Sequence, residues 1–383
     1  MVHLLLSLIY LSFISLGLPD GLLGAAWPSV YPELNIPISY AGIVSMIICM
    51  GTITSSLLSE YFTYRLGTGK VTLISVALTA LALLGFSWSN SFWMLCLWSI
   101  PYGLGAGSVD AALNNYVALH YSSRHMSWLH CMWGIGASVG PYVMGLILTG
   151  GGHWSQGYLY VGIAQIILCA IILISLPLWK KANQSEQAKP LGLKQTLQLT
   201  GAKEVMVAFF SYCALEQTAA LWSASYFHLH GGFNPETAAY LGSLFFMGIT
   251  LGRAISGFIA AKLSDHAMIR LGFSIIAVGI CLLLLPLGKI GAFVGLLIIG
   301  LGCSPIYPCM MHATPSFFGA ERSQALMGLQ TASAYVGTAF MPPLFGLIAN
   351  HISISLLGIF LLAQLILMFF SYQKLTNLCK KPV

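Results

Sequence analysis

The sequence predicts an all-α membrane protein: twelve transmembrane helices in two pseudo-symmetric six-helix bundles. Three observations carry this expectation. The 383 residues are 57% hydrophobic and only 7% charged, whereas a soluble domain carries about 25% charged residues. The apolar runs come in units of roughly 20–25 residues, the length at which a helix crosses a bilayer, and they lack the alternation of a membrane barrel. The basic residues gather at one side of these runs, the mark of the cytoplasmic face. Soluble enzymes, nucleic-acid binders and disordered chains are thereby excluded. The net charge of +6 points to no nucleic-acid partner, because the basic residues lie in short loops and form no patch.

Taken in order, spans 1 to 12 are expected at residues 4–31, 38–60, 70–89, 92–119, 126–149, 156–179, 203–229, 236–261, 267–287, 291–317, 322–349 and 352–373. The first run lacks a basic start and is too long for a signal peptide, so it reads as span 1. Arg65 and Lys70 follow span 2, and Arg124 follows span 4. Lys180, Lys181, Lys189, Lys194 and Lys203 follow span 6. Lys262 and Arg270 follow span 8, Arg322 follows span 10, and Lys374, Lys380 and Lys381 follow span 12. Fourteen of the 16 basic residues thus share one side, which places both termini in the cytoplasm. Arg253 lies within span 8, and Lys289 falls on the far side. Eight of the nine cysteines lie within spans and none shows metal-ligand spacing, so they are expected to be small packing residues. No metal and no cofactor is expected.

One polar stretch, Lys180 to Thr200, is long enough to join two bundles. It divides the chain into a bundle over 1–180, a cytoplasmic linker over 181–200 and a bundle over 201–383. The halves repeat. Leu58-Ser59-Glu60 and Arg65-Leu66-Gly67 after span 2 recur as Leu263-Ser264-Asp265 and Arg270-Leu271-Gly272 after span 8, 205 residues on. Gly136, Pro141 and Gly145 of span 5 recur as Gly337, Pro342 and Gly346 of span 11. Gly103 and Gly105 of span 4 recur as Gly300 and Gly302 of span 10, and Trp27 and Tyr31 as Trp222 and Tyr226.

This arrangement resembles the major facilitator superfamily over the whole chain. The loop after span 2 is similar to that family's signature, an acidic residue followed by a basic residue, a glycine and a further basic residue: Glu60, Arg65, Gly67 and Lys70. Gly257, Asp265, Arg270 and Gly272 form the second copy. The resemblance implies a gating role for Glu60, Arg65, Lys70, Asp265 and Arg270. Span 4 carries Gly105-Ala106-Gly107, then Asp110 and Asn114, and resembles the fucose permease branch of sugar–proton symporters, with Asp110 in the place of a membrane-embedded glutamate. Span 1 departs from that branch: its one acid, Asp20, lies two helical turns before Pro28.

The residues themselves point to candidate sites. Asp20, Asp110 and Glu216 are the acids deep in spans, and inserting each costs roughly 2.5–3.5 kcal/mol. Such groups mark ion or substrate paths, so these three are the proton-coupling candidates. Gly103, Gly107, Asp110 and Asn114 share one helix face, suited to a cavity wall or a close helix contact. Asn114, Asn115 and Gln217 can bind hydroxyl groups. Trp27, Trp133, Trp222, Tyr226 and Tyr307 offer rings against which a sugar can rest. His130 and Gln330 complete the solute-binding candidates, and His312 is a further intramembrane histidine. Arg253 can snorkel or pair with a carboxylate and lock a state.

The function expected from the resemblance is proton-coupled symport of a small sugar-like solute by alternating access. The alternative is a proton-coupled antiporter exporting a drug or metabolite. An enzyme is not expected, because the twofold repeat and mirrored loops argue against one. The expected partners are the solute, protons and the lipid bilayer, with no nucleic acid, and the chain is expected to be a monomer. Short loops suggest a bacterial inner (plasma) membrane.

Overall fold

The computed structural model describes residues 2–37, 40–179, 190–233, 235–285 and 287–379, and side chains within these except those of 2, 3, 235–240, 243 and 244. Linker residues 180–189, Lys380 and Lys381, and the Glu236 side chain lie outside that description. Among the described residues all regular structure is helical. Ten stretches are long and apolar enough to cross a membrane: Leu4–Glu33, Thr68–Ser87, Phe92–His120, Ser123–Thr149, Trp154–Leu178, Ala202–Leu229, Asp265–Leu284, Gly288–Phe318, Ala320–His351 and Ile354–Cys379. Ala41–Leu57 and Ser59–Leu66, bent by 55°, make span 2. Pro235–Ile259 stands at the place of span 8, with its apolar part at Phe245–Ile259. The order and placement of the expected spans are therefore those observed.

The breaks follow from local chemistry. Span 1 is helical over Val2–Gly17, opens, and resumes at Leu22–Glu33. Pro19 has no N–H for the helical ladder, and Gly17 and Gly21 flank it. Span 7 has Ala214, Leu215 and Glu216 near the equivalent place and runs unbroken over Ala202–Leu229. Span 10 pauses between Gly288–Cys303 and Ile306–Phe318, at Ser304 and Pro305. Span 2 bends within a serine-rich stretch: the Ser55 hydroxyl donates to the Thr52 carbonyl (3.3 Å) and the Ser59 hydroxyl to the Ser108 carbonyl (3.1 Å). Side-chain competition for backbone carbonyls is a common cause of such bends.

The repeated glycines make equivalent contacts in the two halves. Gly103 lies against the Ile48 carbonyl of span 2, and its counterpart Gly300 lies against the Phe245 carbonyl of span 8. Gly136 lies against the Ile14 carbonyl of span 1, and Gly337 against the Phe210 carbonyl of span 7. At all four positions a β-carbon would overlap backbone, so these helix pairs approach as closely as small residues allow. The internal repeat in the sequence is thus a repeat of helix crossings.

Two compact units result. The first comprises Met1–Tyr116 with Leu129–Gly192, and the second comprises Val117–Trp128 with Leu193–Val383. Residues 117–128, which end span 4 and begin span 5, fall on the first side of a division drawn at the linker but belong by contact to the second unit. The Trp128 ring lies against Gly257 and Phe258, Ser123 meets Cys309, and the Tyr121 carbonyl meets His312.

Candidate functional site

In the first unit, the break in span 1 presents Asp20. The close crossing of spans 1 and 5 at Gly136 and Gly140 brings Trp133 beside the break. Trp133 Nε1 donates to Asp20 Oδ2 (2.9 Å), and Tyr102 Oη of span 4 donates to Oδ1 (2.9 Å). Asp20 is nonetheless solvent-accessible within this unit. Among the described residues it has no ion-pair partner. The Asp20 carboxyl group, at a break deep in a span, is thus held by two neutral donors, one from span 4 and one from span 5.

Asp110 lies on span 4, three residues beyond Gly107 on a helix pressed against span 2. The face shared by Gly103, Gly107, Asp110 and Asn114 is therefore a helix contact at its glycines. At its polar end it becomes a hydrogen-bonded chain. Asn114 Nδ2 donates to Asp110 Oδ1 (2.9 Å) and to the Asp110 carbonyl (2.9 Å). His130 Nε2 of span 5 stands 3.0 Å from Asn114 Oδ1. That oxygen can only accept, so His130 carries its proton on Nε2 in this arrangement. The Phe13 ring meets the His130 ring edge-on at 5.6 Å. Asp110, Asn114 and His130 are all buried, as is Asn115. His130 is thus placed to orient the amide that holds Asp110.

In the second unit, Glu216 meets a cation. Arg253 Nη2 donates to Glu216 Oε1 at 3.4 Å, and both residues are buried. Tyr212, one turn before Glu216, donates to the Cys303 carbonyl (3.0 Å). Its ring lies 5.7 Å from that of Tyr307, which also meets Phe209. Glu216 thus has a buried cation beside it, a partner of a different kind from those of Asp20. Arg253, by the same contact, does not snorkel to the interface.

Other sequence candidates are occupied in packing. Trp27 is buried in a cluster with Val30, Phe86 and Tyr102. Trp222 donates from Nε1 to the Pro342 carbonyl (2.9 Å) and covers Gly346. Tyr226 is buried, with the His230 ring 4.9 Å away. Gln330 is fully buried and exchanges hydrogen bonds with Thr314 Oγ1 (2.9 and 3.1 Å), joining spans 10 and 11. Gln217, Tyr307 and Trp133 are half-buried.

The gating candidates do not pair with each other. Glu60 Oε1 accepts from the Leu191 amide (3.2 Å), and Arg65 lies over the Tyr61 ring (4.8 Å). Asp265 Oδ2 meets His312 Nδ1 at 2.6 Å, while Arg270 is exposed. Among the described residues, Arg65, Lys70 and Arg270 form no ion pair. The reason is spacing: in both copies the acid and the arginine stand five residues apart, whereas helix neighbours are three or four apart. Sequence reasoning missed Tyr102 as a partner of Asp20 and Thr314 as the partner of Gln330. Both act across spans, and no local pattern announces them.

Comparisons with known proteins agree with this architecture. The family model of the Major Facilitator Superfamily matches residues 9–342 and, a second time, 206–377. Membrane protein MosC of Rhizobium meliloti is 23% identical over 360 residues, covering 90% of this chain and 84% of MosC. Among solved structures, the transporter FucP in the outward conformation aligns with a TM-score of 0.78 at 14% identity, over 96% of this chain and 98% of FucP. A structure described as the E. coli fucose:proton symporter FucP aligns at 0.73 and 17%, over 96% and 98%. The proton:xylose symporter XylE aligns at 0.77 and 14%, over 95% of this chain and 94% of XylE. At these identities the structural likenesses speak to fold alone. The family match spans most of the chain, and with the twelve-span repeat it leads to one conclusion: this multi-pass membrane protein belongs to the major facilitator superfamily of transporters.

Proposed function

We propose that this transporter is a proton-coupled symporter of a small sugar-like solute, working by alternating access. The observation that carries the reading is Asp20: a carboxylate at a helix break, accessible, and held only by neutral donors among the described residues. Asp110, on its chain to Asn114 and His130, is the second proton site. Glu216 is assigned a structural charge pair with Arg253 instead of a coupling role. Broken helices near the bilayer midplane are where transporters of this kind place substrate and coupling ions.

Solute recognition falls to half-buried groups, Trp133 in the first unit and Gln217 and Tyr307 in the second, with Asn115 as a hydroxyl partner. The names of FucP and XylE, both proton symporters of sugars, support this solute class. The moving bodies are the bundles 1–180 and 201–383 on the linker 181–200. The membrane in this reading is a bacterial plasma membrane, the termini are cytoplasmic, and the functional form is a monomer.

The test is proton flux in proteoliposomes with a trapped pH dye, on adding hexoses, pentoses and polyols outside. One sugar should acidify the lumen, and Asp20→Asn should abolish the signal. Silence across the panel, with lumenal alkalinisation driven by drugs or metabolites instead, would replace symport by antiport.

A further inference from the structure

Residues 117–128 are joined covalently to spans 4 and 5, yet by contact they belong to the second unit. Three contacts hold them there. The Trp128 indole lies on Gly257, where any β-carbon would overlap it, and meets the Phe258 ring edge-on at 5.6 Å. Ser123 Oγ stands 3.7 Å from Cys309 Sγ, both groups buried. His312 Nε2 stands 3.1 Å from the Tyr121 carbonyl. Residues 117–128 can part from the rest of the second unit only if these three contacts part.

The third contact depends on a proton. His312 Nδ1 faces a carboxylate oxygen of Asp265 at 2.6 Å, and Nε2 faces a backbone carbonyl. Both partners can only accept. Both ring nitrogens must therefore donate, and only the imidazolium has two N–H groups. A neutral ring keeps one. Charge attraction no longer holds it, but the shorter Asp265 bond retains the remaining N–H, so the Tyr121 carbonyl loses its donor.

We propose that residues 117–128 form a proton-controlled latch, closed by doubly protonated His312 and released when that proton leaves. Other titratable and charged groups surround it. Cys309 lies one turn away on the same helix and interacts with Asp265. His266 and Tyr372 bond to each other at 2.6 Å, and Arg270 acts on Tyr372. On the latch itself, Arg124 lies over the Trp128 ring at 4.1 Å and the His125 ring faces that of Tyr121. His312 bonds Asp265 and the Tyr121 carbonyl at once. The Lys and Arg distribution puts the latch at the cytoplasmic face. If the protein imports protons, as proposed above, an acidic cytoplasm keeps the latch shut and restrains further import. This brake rests on that reading; the latch does not.

Cys309, fully buried beneath Ser123, is a built-in reporter. The full chain, with Cys309 as its one remaining thiol, would be labelled with N-ethylmaleimide from the cytoplasmic side at about pH 5.5 to about pH 8.5, the range of histidine titration. Each rate is divided by that of His312→Gln at the same pH, and also by that of Gly257→Val, which keeps His312 and Asp265 beside the thiol and so cancels its own ionisation. The ratio should be about 0.1 or lower at the acidic end, the worth of one charged hydrogen bond, and approach one at the alkaline end. Gly257→Val should label as fast as His312→Gln at every pH, and it serves as the reference if His312→Gln fails to reach the membrane. A ratio flat with pH overturns the proposal: flat below one makes His312 a static contact, and flat at one means that it holds nothing. No substrate is needed, so failure here is separate from failure of the symport reading.

Discussion

Asp20 and Glu216 stand at near-equivalent places in the repeat, seven and six residues before Trp27 and Trp222, yet they meet partners of different kinds. Asp20 accepts from a phenol and an indole; Glu216 accepts from a guanidinium. Removing one partner of a buried ion pair leaves an uncompensated charge, which costs about 3–5 kcal/mol, whereas an apolar pair of matched volume is often neutral. Arg253→Met is therefore expected to lower the melting temperature of the purified protein sharply, and Arg253→Met with Glu216→Leu to recover most of it. Equal melting of the single and double variants would show that the pair carries no such coupling. Asp20→Asn is expected to leave the melting temperature within a few degrees of wild type while abolishing proton-driven uptake, because an amide still accepts from Tyr102 but cannot lose or gain the charge. At Asp110 the same exchange should also abolish uptake, and His130→Leu should lower it at least tenfold, about 1.4 kcal/mol, by freeing the Asn114 amide to turn. Uptake by His130→Leu at the wild-type rate would remove His130 from the site.

At the scale of elements, glycine decides which helices touch. Gly103 and Gly300 admit the backbones of spans 2 and 8, and Gly136 and Gly337 those of spans 1 and 7, whereas a β-carbon at Gly145 would meet nothing within 4 Å. Leucine at Gly103 or Gly300 is expected to destabilise by more than the roughly 1–3 kcal/mol of ordinary overpacking, because the obstacle is backbone. Leucine at Gly145 should be tolerated. Thermal unfolding in detergent, followed by tryptophan fluorescence, separates the two classes. The helix break in span 1 is the other element-scale device. Pro19 and its flanking glycines keep Asp20 off a regular helix, and span 7, lacking them, stays continuous. The spacing of five between acid and arginine in the two loop motifs belongs here as well. It places Glu60 and Asp265 away from Arg65 and Arg270, so the motif's residues were readable in sequence but their partners were not.

For the whole molecule, the proposed proton coupling sets the accumulation to be expected. One proton moving down about 150 mV contributes roughly 3.5 kcal/mol, at about 2.3 kcal/mol per 100 mV. That supports roughly 300-fold accumulation of a solute carried one-for-one. Vesicles energised at that potential should approach this ratio for the cognate sugar and fall to equality on adding a protonophore. Accumulation that survives the protonophore and follows a sodium gradient would move the coupling ion to sodium.

The sequence by itself determined that the chain crosses a membrane, how often, and that its second half repeats its first. These follow from hydropathy, basic-residue asymmetry and glycine spacing, all local properties that hold wherever the helices finally lie. It also singled out Asp20, Asp110 and Glu216, because a charge in an apolar run stands out in one dimension. Which partners each acid meets was decided only by tertiary structure. Tyr102 lies 82 residues from Asp20, Trp133 lies 113 residues away, and Arg253 lies 37 residues from Glu216. A carboxyl group's chemistry in a medium of low dielectric is set by the donors and charges within a few ångströms of it, and the crossing of helices chooses those neighbours. The same holds for His312, marked in sequence only as an intramembrane histidine, whose two nitrogens meet Asp265 and the Tyr121 carbonyl only because the fold brings them there.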